Sequence, residues 1–177
     1  MTHHLPVLLV VVPLVAAPIA ALVNRPRISW AVAVVATLWT LYAALGLLSQ
    51  TMAVGAIHYE LGGWAAPYGI EYVVDPVNAW VMVIVALIGA LATPYARRRV
   101  EHEISEDRIP LFYAAFILCL TGLLGIAITG DVFNVFVFLE ISSLSAYALI
   151  ALGNDRRALM ASFRYLIMGS VGATFIV

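Results

Sequence analysis

Charge is what this sequence has least of: 11% of its 177 residues are Asp, Glu, Lys or Arg, against about 25% in soluble globular domains. Lysine is absent altogether, so all nine positive charges are arginines. With 64% hydrophobic residues and a mean hydropathy of +1.03, a soluble globular fold is excluded and lipid is the expected solvent. The single cysteine, Cys119, sits in an apolar run. It has no second thiol for a disulfide or a cysteine-pair metal site, which leaves the redox compartment unreadable. No basic stripe interleaved with aromatics is present, which sets nucleic acid aside as a partner. No Lys or Arg precedes the first apolar stretch, as a secretory leader would need, so that stretch is expected to stay as a first span. No internal repeat or low-complexity tract is visible.

What is there is a series of apolar runs of about 20 residues, each able to cross a ~30 Å hydrocarbon core. Six fit: Leu5 to Val23, Ile28 to Leu48, Asp75 to Ala96, Ile109 to Thr129, Asp131 to Leu152 and Ala158 to Val177. The expected fold class is all-α, a polytopic membrane protein of about six transmembrane helices. As one helix, the stretch from Ile109 to Leu152 would be about 65 Å long, twice the hydrocarbon thickness, so it must turn. Thr129-Gly130-Asp131 supplies that turn, with Gly130 expected as a left-handed C-terminal cap and Asp131 as the N-cap of the next helix. Asp75, followed by Pro76, is the expected N-cap of the third span.

The arginines test this arrangement. Arg25 and Arg27 follow span one, Arg97, Arg98, Arg99 and Arg108 follow span three, and Arg156, Arg157 and Arg164 follow span five. The positive-inside rule then places every odd-to-even connection in the cytoplasm and the N-terminus outside. The connection from Ser49 to Val74 has neither Lys nor Arg and is expected to form an ordered outer cap. The segment Arg97 to Arg108 mixes its four arginines with Glu101, Glu103, Glu106 and Asp107, and is expected to be a solvated loop with local ion pairs.

Glu140 lies nine residues after Asp131, about 13 Å down a helix and near the centre of the hydrocarbon core. An ionised carboxylate there costs at least ~3 kcal/mol on insertion scales unless water or a cation accompanies it. A group held close to neutral, and able to charge when a partner approaches, can relay protons. Its other role is a protonated interhelical hydrogen bond. Ser143 and Tyr147 follow it on one helix face at i+3 and i+7, with Phe136 at i−4. Two roles are open to the hydroxyls: holding water in a proton wire, or permitting close helix packing. Arg164, about 10 Å into span six, either snorkels to the headgroups or reaches inward toward Glu140. His3, His4, His58 and His102 all fall in loops or termini and none faces another across a pair of spans, so neither a haem nor a metal site is expected. Pro13 and Pro18 read as a kink in span one, and Gly122 with Gly125 as a close-packing surface in span four.

The run from Gly130 and Asp131 through Asn134, Glu140 and Tyr147 to Gly153 resembles the fifth transmembrane helix of the antiporter-like proton channel family. That family includes the D-type member of Mrp multisubunit sodium/proton antiporters and the N, M and L members of the complex I membrane arm. The segment Ala161-Ser-Phe-Arg164-Tyr165-Leu-Ile is similar to its sixth helix, and Val74-Asp75-Pro-Val-Asn-Ala-Trp to the start of its third. The likeness is closest to the Mrp D type and most specific from Gly130 to Ile167.

The resemblance implies a proton-translocating subunit of a monovalent cation/proton antiporter. In the family, the glutamate matched by Glu140 works with a lysine on a broken seventh helix, and no lysine occurs here. The chain is accordingly expected to be a fragment of a roughly fourteen-helix subunit, or the product of a split gene. Residues 1 to 108 would be three leading helices with an outer loop, and residues 109 to 177 the start of the proton-channel repeat. The implied partners are other membrane subunits and the lipid bilayer of a bacterial or archaeal cell, with no bound cofactor. The alternatives are a pumping subunit of a complex I-like quinone-reducing complex, whose redox chemistry would belong to partners, and a purely structural membrane subunit.

Overall fold

The computed structural model describes residues 4–64, 68–153 and 156–175. His3 and the last two residues of the expected sixth span, Ile176 and Val177, lie outside them. Six helices follow one another: α1 Leu5–Leu22, α2 Pro26–Val54, α3 Pro76–Glu103, α4 Ile109–Ile128, α5 Val132–Ala151 and α6 Arg156–Thr174. Among the described residues, the first five are long and apolar enough to cross a membrane. The sixth carries Arg156, Arg157 and Arg164 in its 19 residues and is not among these five. The chain is an all-α polytopic membrane protein.

Helix α4 is the hub, packed against α1, α2, α3 and α5, while α6 lies on α5. Lipid tails are as apolar as leucine, so close packing has to hold these helices together rather than water exclusion. Small residues supply it. At the arginine-bearing end Ala17, Ala20, Ala33 and Ala36 are buried around Tyr113 and Ile117. At the other end Leu9, Leu47, Met82 and Leu124 form a second core, roofed by Tyr72 and Val74.

Two expected boundaries shift outward. Helix α2 runs on to Val54, into the expected outer loop, and ends at Gly55 with φ 89°. Helix α3 does not stop at Ala96 but continues through Glu103, so most of the arginine-rich segment is helix rather than loop. The reason is pairing at i,i+4: Arg97 meets Glu101 at 3.1 Å and Arg99 meets Glu103 at 3.7 Å.

The connection between α2 and α3 folds into an antiparallel hairpin of β1 Ile57–Glu60 and β2 Glu71–Val74, with Ile57 opposite Val74 and Glu60 opposite Glu71. Strand β2 feeds directly into α3 through a capping box. The Asp75 carboxylate accepts from the amides of Val77 at 2.7 Å and Asn78 at 2.8 Å, and the Asn78 side-chain oxygen accepts from the Asp75 amide at 2.9 Å.

The α4–α5 turn is built differently from the expected glycine cap. Gly130 does not adopt a positive φ; among the described glycines only Gly55, Gly62 and Gly63 do. Helix α4 ends instead on an extended Thr129, and Gly130 donates its amide to the Glu71 carbonyl at 2.9 Å. A β-carbon at residue 130 would come within 2.7 Å of Val73 Cγ2, so glycine is needed there for the approach of β2 and not for a left-handed turn. Asp131 then caps α5, accepting from the amides of Phe133 and Asn134 at 3.3 Å each.

Candidate functional site

Three features fix how α5 sits. Its first turn is tied to the hairpin: Asn134 is buried, donates to Thr129 Oγ1 at 3.1 Å and lies near the Tyr72 phenol. Burial pushes the Tyr72 phenol above its ordinary value, and the nearby Asn134 side chain partly offsets this. One face of α5 then lies against α4 through Phe138 and Ser142. β-Carbons at residues 122 and 125 would collide with them: Ser142 N stands 2.6 Å from the first, and the Phe138 ring fills the second. Ser142 also meets Cys119 across this seam at 4.0 Å.

The face toward α6 is set by Tyr147. Its carbonyl accepts from Ser162 Oγ at 2.8 Å, and its ring meets Tyr165 edge to face at 4.9 Å. Its hydroxyl lies where a β-carbon on residue 169 would be. Aromatic side chains in helices lean toward the N-terminus, so the Tyr147 hydroxyl is carried back along α5 toward Glu140. The two residues are seven apart, about two turns, and share one face of the helix.

Glu140 itself is half-buried, on the face of α5 turned away from α4. Among the described residues its carboxylate has no hydrogen bond and no ion pair. It sits about 12 Å from the start of α5, midway along the 20-residue helix. Ser143 is half-buried beside it.

Arg164 is not brought to Glu140. The hydrogen bond between Ser162 and the Tyr147 carbonyl sets those residues level, so Glu140 lies about 10 Å and Arg164 about 3 Å further along the axis from that level. The separation of about 7 Å would be spanned easily by an arginine, but rotation forbids it. Ser162, Tyr165, Gly169 and Ala173 form the stripe of α6 facing α5, and Arg164 is about 160° round the helix from Ser162 and exposed. In the described chain the inward-reaching role of Arg164 is not realised.

Sequence reasoning places Glu140, Ser143 and Tyr147 on one face but passes over Asn134, Ser162 and Gly169, which orient them. The signal for Gly169 is present in the small-residue spacing Ser162-Gly169-Ala173 across two helical turns and more. Asn134 has no such signal, since its partners Tyr72 and Thr129 come from two separate segments. Among the described residues no group of three or more His, Cys, Asp or Glu side chains is placed to hold a metal ion.

No family model matches the chain. It is 43% identical, over 178 aligned positions and 99% of its length, to NADH-quinone oxidoreductase subunit N of Desulforudis audaxviator, of which it spans 35%. It is 33% identical over 133 positions, 75% of its length, to the D-type member of the Na(+)/H(+) antiporter of Bacillus subtilis, of which it spans 26%. Among solved structures, a chain of the membrane-bound sulfane sulfur reductase, an archaeal respiratory membrane complex, superimposes with a TM-score of 0.86 at 30% identity, over 96% of this chain and 35% of that one. A chain of the Mrp complex from Dietzia sp. DQ12-45-1b matches with a TM-score of 0.86 over 98% of this chain and 32% of that one; at 24% identity it speaks for the fold alone. The chain spans between about a quarter and about a third of the length of these proteins.

Proposed function

Because the chain belongs to the antiporter-like family of membrane subunits and matches its N-terminal portion, we propose that it carries the first half of a proton site in a multisubunit monovalent cation/proton antiporter. Glu140 is the proton-binding group. The observation that carries this is a carboxylate at the midpoint of α5 with no counter-charge among the described residues. A lone carboxylate in a bilayer is a functional site by default, since purely structural packing would favour an apolar side chain.

Ser143 and the Tyr147 hydroxyl continue the path from Glu140 toward the arginine-bearing end. Arg164 acts at the membrane rim. The counter-charge for Glu140, a lysine by the family resemblance, comes from outside this chain, as do the partner membrane subunits. Residues 1 to 108 form a leading helical unit and residues 109 to 177 open the proton-channel repeat. All nine arginines fall at one end of the helices or close to it, which supports an N-terminus outside a bacterial or archaeal cell membrane.

A second reading is favoured by the 43% identity to a NADH-quinone oxidoreductase subunit along nearly the whole chain. In it the same Glu140 takes part in proton pumping driven by redox chemistry in partner subunits, with no reaction catalysed by this chain. Glu140→Gln in the complete assembly, reconstituted in proteoliposomes, tests the shared core: proton flux is expected to fall to background. Undiminished flux overturns the assignment of Glu140. Flux that needs a sodium or potassium gradient marks the antiporter, and flux that needs an electron donor and a quinone marks the redox pump.

A further inference from the structure

The turn between α1 and α2 and the adjoining ends of α3 and α4 border a half-open cavity of about 540 Å³. Arg25 and Arg27, at the start of α2, contribute two positive charges to its lining, and Glu101 and Glu106 contribute two negative ones. Ile28 and Ile109 add apolar wall. Charges of both signs line one cavity without neutralising each other across it. Among the described residues Arg25, Arg27 and Glu106 form no ion pair, and Glu101 turns instead to Arg97, which stacks over Trp30 at 4.3 Å.

A simple basic patch for anionic ligands would not carry two carboxylates, and a cation site would not carry two arginines. The lining matches a ligand that bears both signs. The cavity lies at the helix ends, where the headgroup layer of a bilayer sits. Beside it the last residue of α1, Leu22, is 83% exposed, and Ile28 and Val35, two turns apart on α2, are 42% and 68% exposed, apolar surface that acyl chains can cover.

We propose that this cavity binds the headgroup of a zwitterionic aminophospholipid, its phosphate held by Arg25 and Arg27 and its primary ammonium by Glu106 and Glu101. Guanidinium forks suit phosphate oxygens, and a primary ammonium presents three donors to carboxylates. A choline headgroup has the same two charges but no N–H donor. A glycerol headgroup lacks the cation and leaves the carboxylates facing a phosphate.

The test uses the full chain with the subunits it purifies with, in phosphatidylcholine vesicles containing a trace of phosphatidylethanolamine whose photoreactive group lies near an acyl carbonyl. Peptide mass spectrometry locates the cross-links. Labelling is expected at residues 22–35 and 101–112, reduced at least fivefold by excess phosphatidylethanolamine but not by equal phosphatidylglycerol or by free phosphoethanolamine. Arg27→Gln and Glu106→Gln should each lower the yield at least fivefold with assembly, checked by size-exclusion chromatography, unchanged.

Three outcomes overturn the proposal: labelling elsewhere in the chain, equal competition by phosphatidylglycerol, or yields insensitive to both variants. Competition by free phosphoethanolamine at the same concentration overturns the membrane as the source. Should a variant fail to assemble, the lipid competition on the unaltered chain still decides.

Discussion

The Tyr147 hydroxyl occupies the position that a β-carbon on residue 169 would take, so the spacing of α5 and α6 is set by one phenol laid on one glycine. Gly169→Ala should therefore separate the two helices. Overpacking of this kind costs about 1–3 kcal/mol, which would appear as a lower thermal midpoint in detergent. Tyr147→Phe removes the clashing oxygen, so the double variant should recover much of the loss. If Gly169→Ala is as stable as the parent, the contact does not set the spacing.

Tyr147→Phe also distinguishes the two roles open to that hydroxyl. A packing role predicts unchanged proton flux in the assembled complex, because the ring still meets Tyr165 at 4.9 Å. A wire through the hydroxyl predicts a clear loss of flux at unchanged stability, and it is the outcome expected here. Parental flux in the variant would remove Tyr147 from the path.

Two caps of the same residue type differ in quality. Asp75 accepts at 2.7 and 2.8 Å inside a reciprocal box, while Asp131 accepts at 3.3 Å from each of two amides. Losing an N-cap costs typically ~1 kcal/mol. Asp75→Ala should cost at least that, and Asp131→Ala measurably less, in paired denaturation curves. The reverse order would contradict the geometry.

Tyr113 is 1% exposed and its hydroxyl is a buried polar atom without a hydrogen-bond partner among the described residues. An unpaired buried polar group carries a desolvation penalty of about 1–3 kcal/mol, so Tyr113→Phe should be neutral or stabilising. A large loss of stability would reveal a partner, such as an ordered water, at that oxygen.

Tyr72 gives the hairpin cap an alkaline limit. Its phenol titrates above the ordinary value of 10.0 in the folded chain because of burial, with the nearby Asn134 side chain offsetting part of the shift. The unfolded chain thus loses its proton first as pH rises. The associated stability is whole below about pH 10 and declines as pH climbs through the folded value. Tyr72→Phe should flatten the stability profile above pH 10. An unchanged alkaline slope would show that the titration lies elsewhere.

The helices were legible because long apolar runs and the placement of arginine are strong, local signals. Glu140 stood out for the same reason, a charge inside an apolar run. What the residues concealed was tertiary. The helical pairing that carries α3 to Glu103 competes with the charge density that reads as a solvated loop. Gly130 looks like a cap until β2 is laid against it. The direction of Arg164 depends on the rotation of α6, which no spacing along a single helix determines.

Strand β2 is flanked on both sides: β1 pairs with one edge, and Thr129 and Gly130 bond the other through the Tyr72 bridge and the Glu71 carbonyl. A two-stranded ribbon is marginal by itself in water, and a bare edge invites pairing with other chains. Here the turn between two membrane helices serves as the third strand. The cap is therefore tied to the bundle backbone to backbone: the second edge of β2 is closed by the protein's own helix connection, and among the described residues β1 is left as the edge strand.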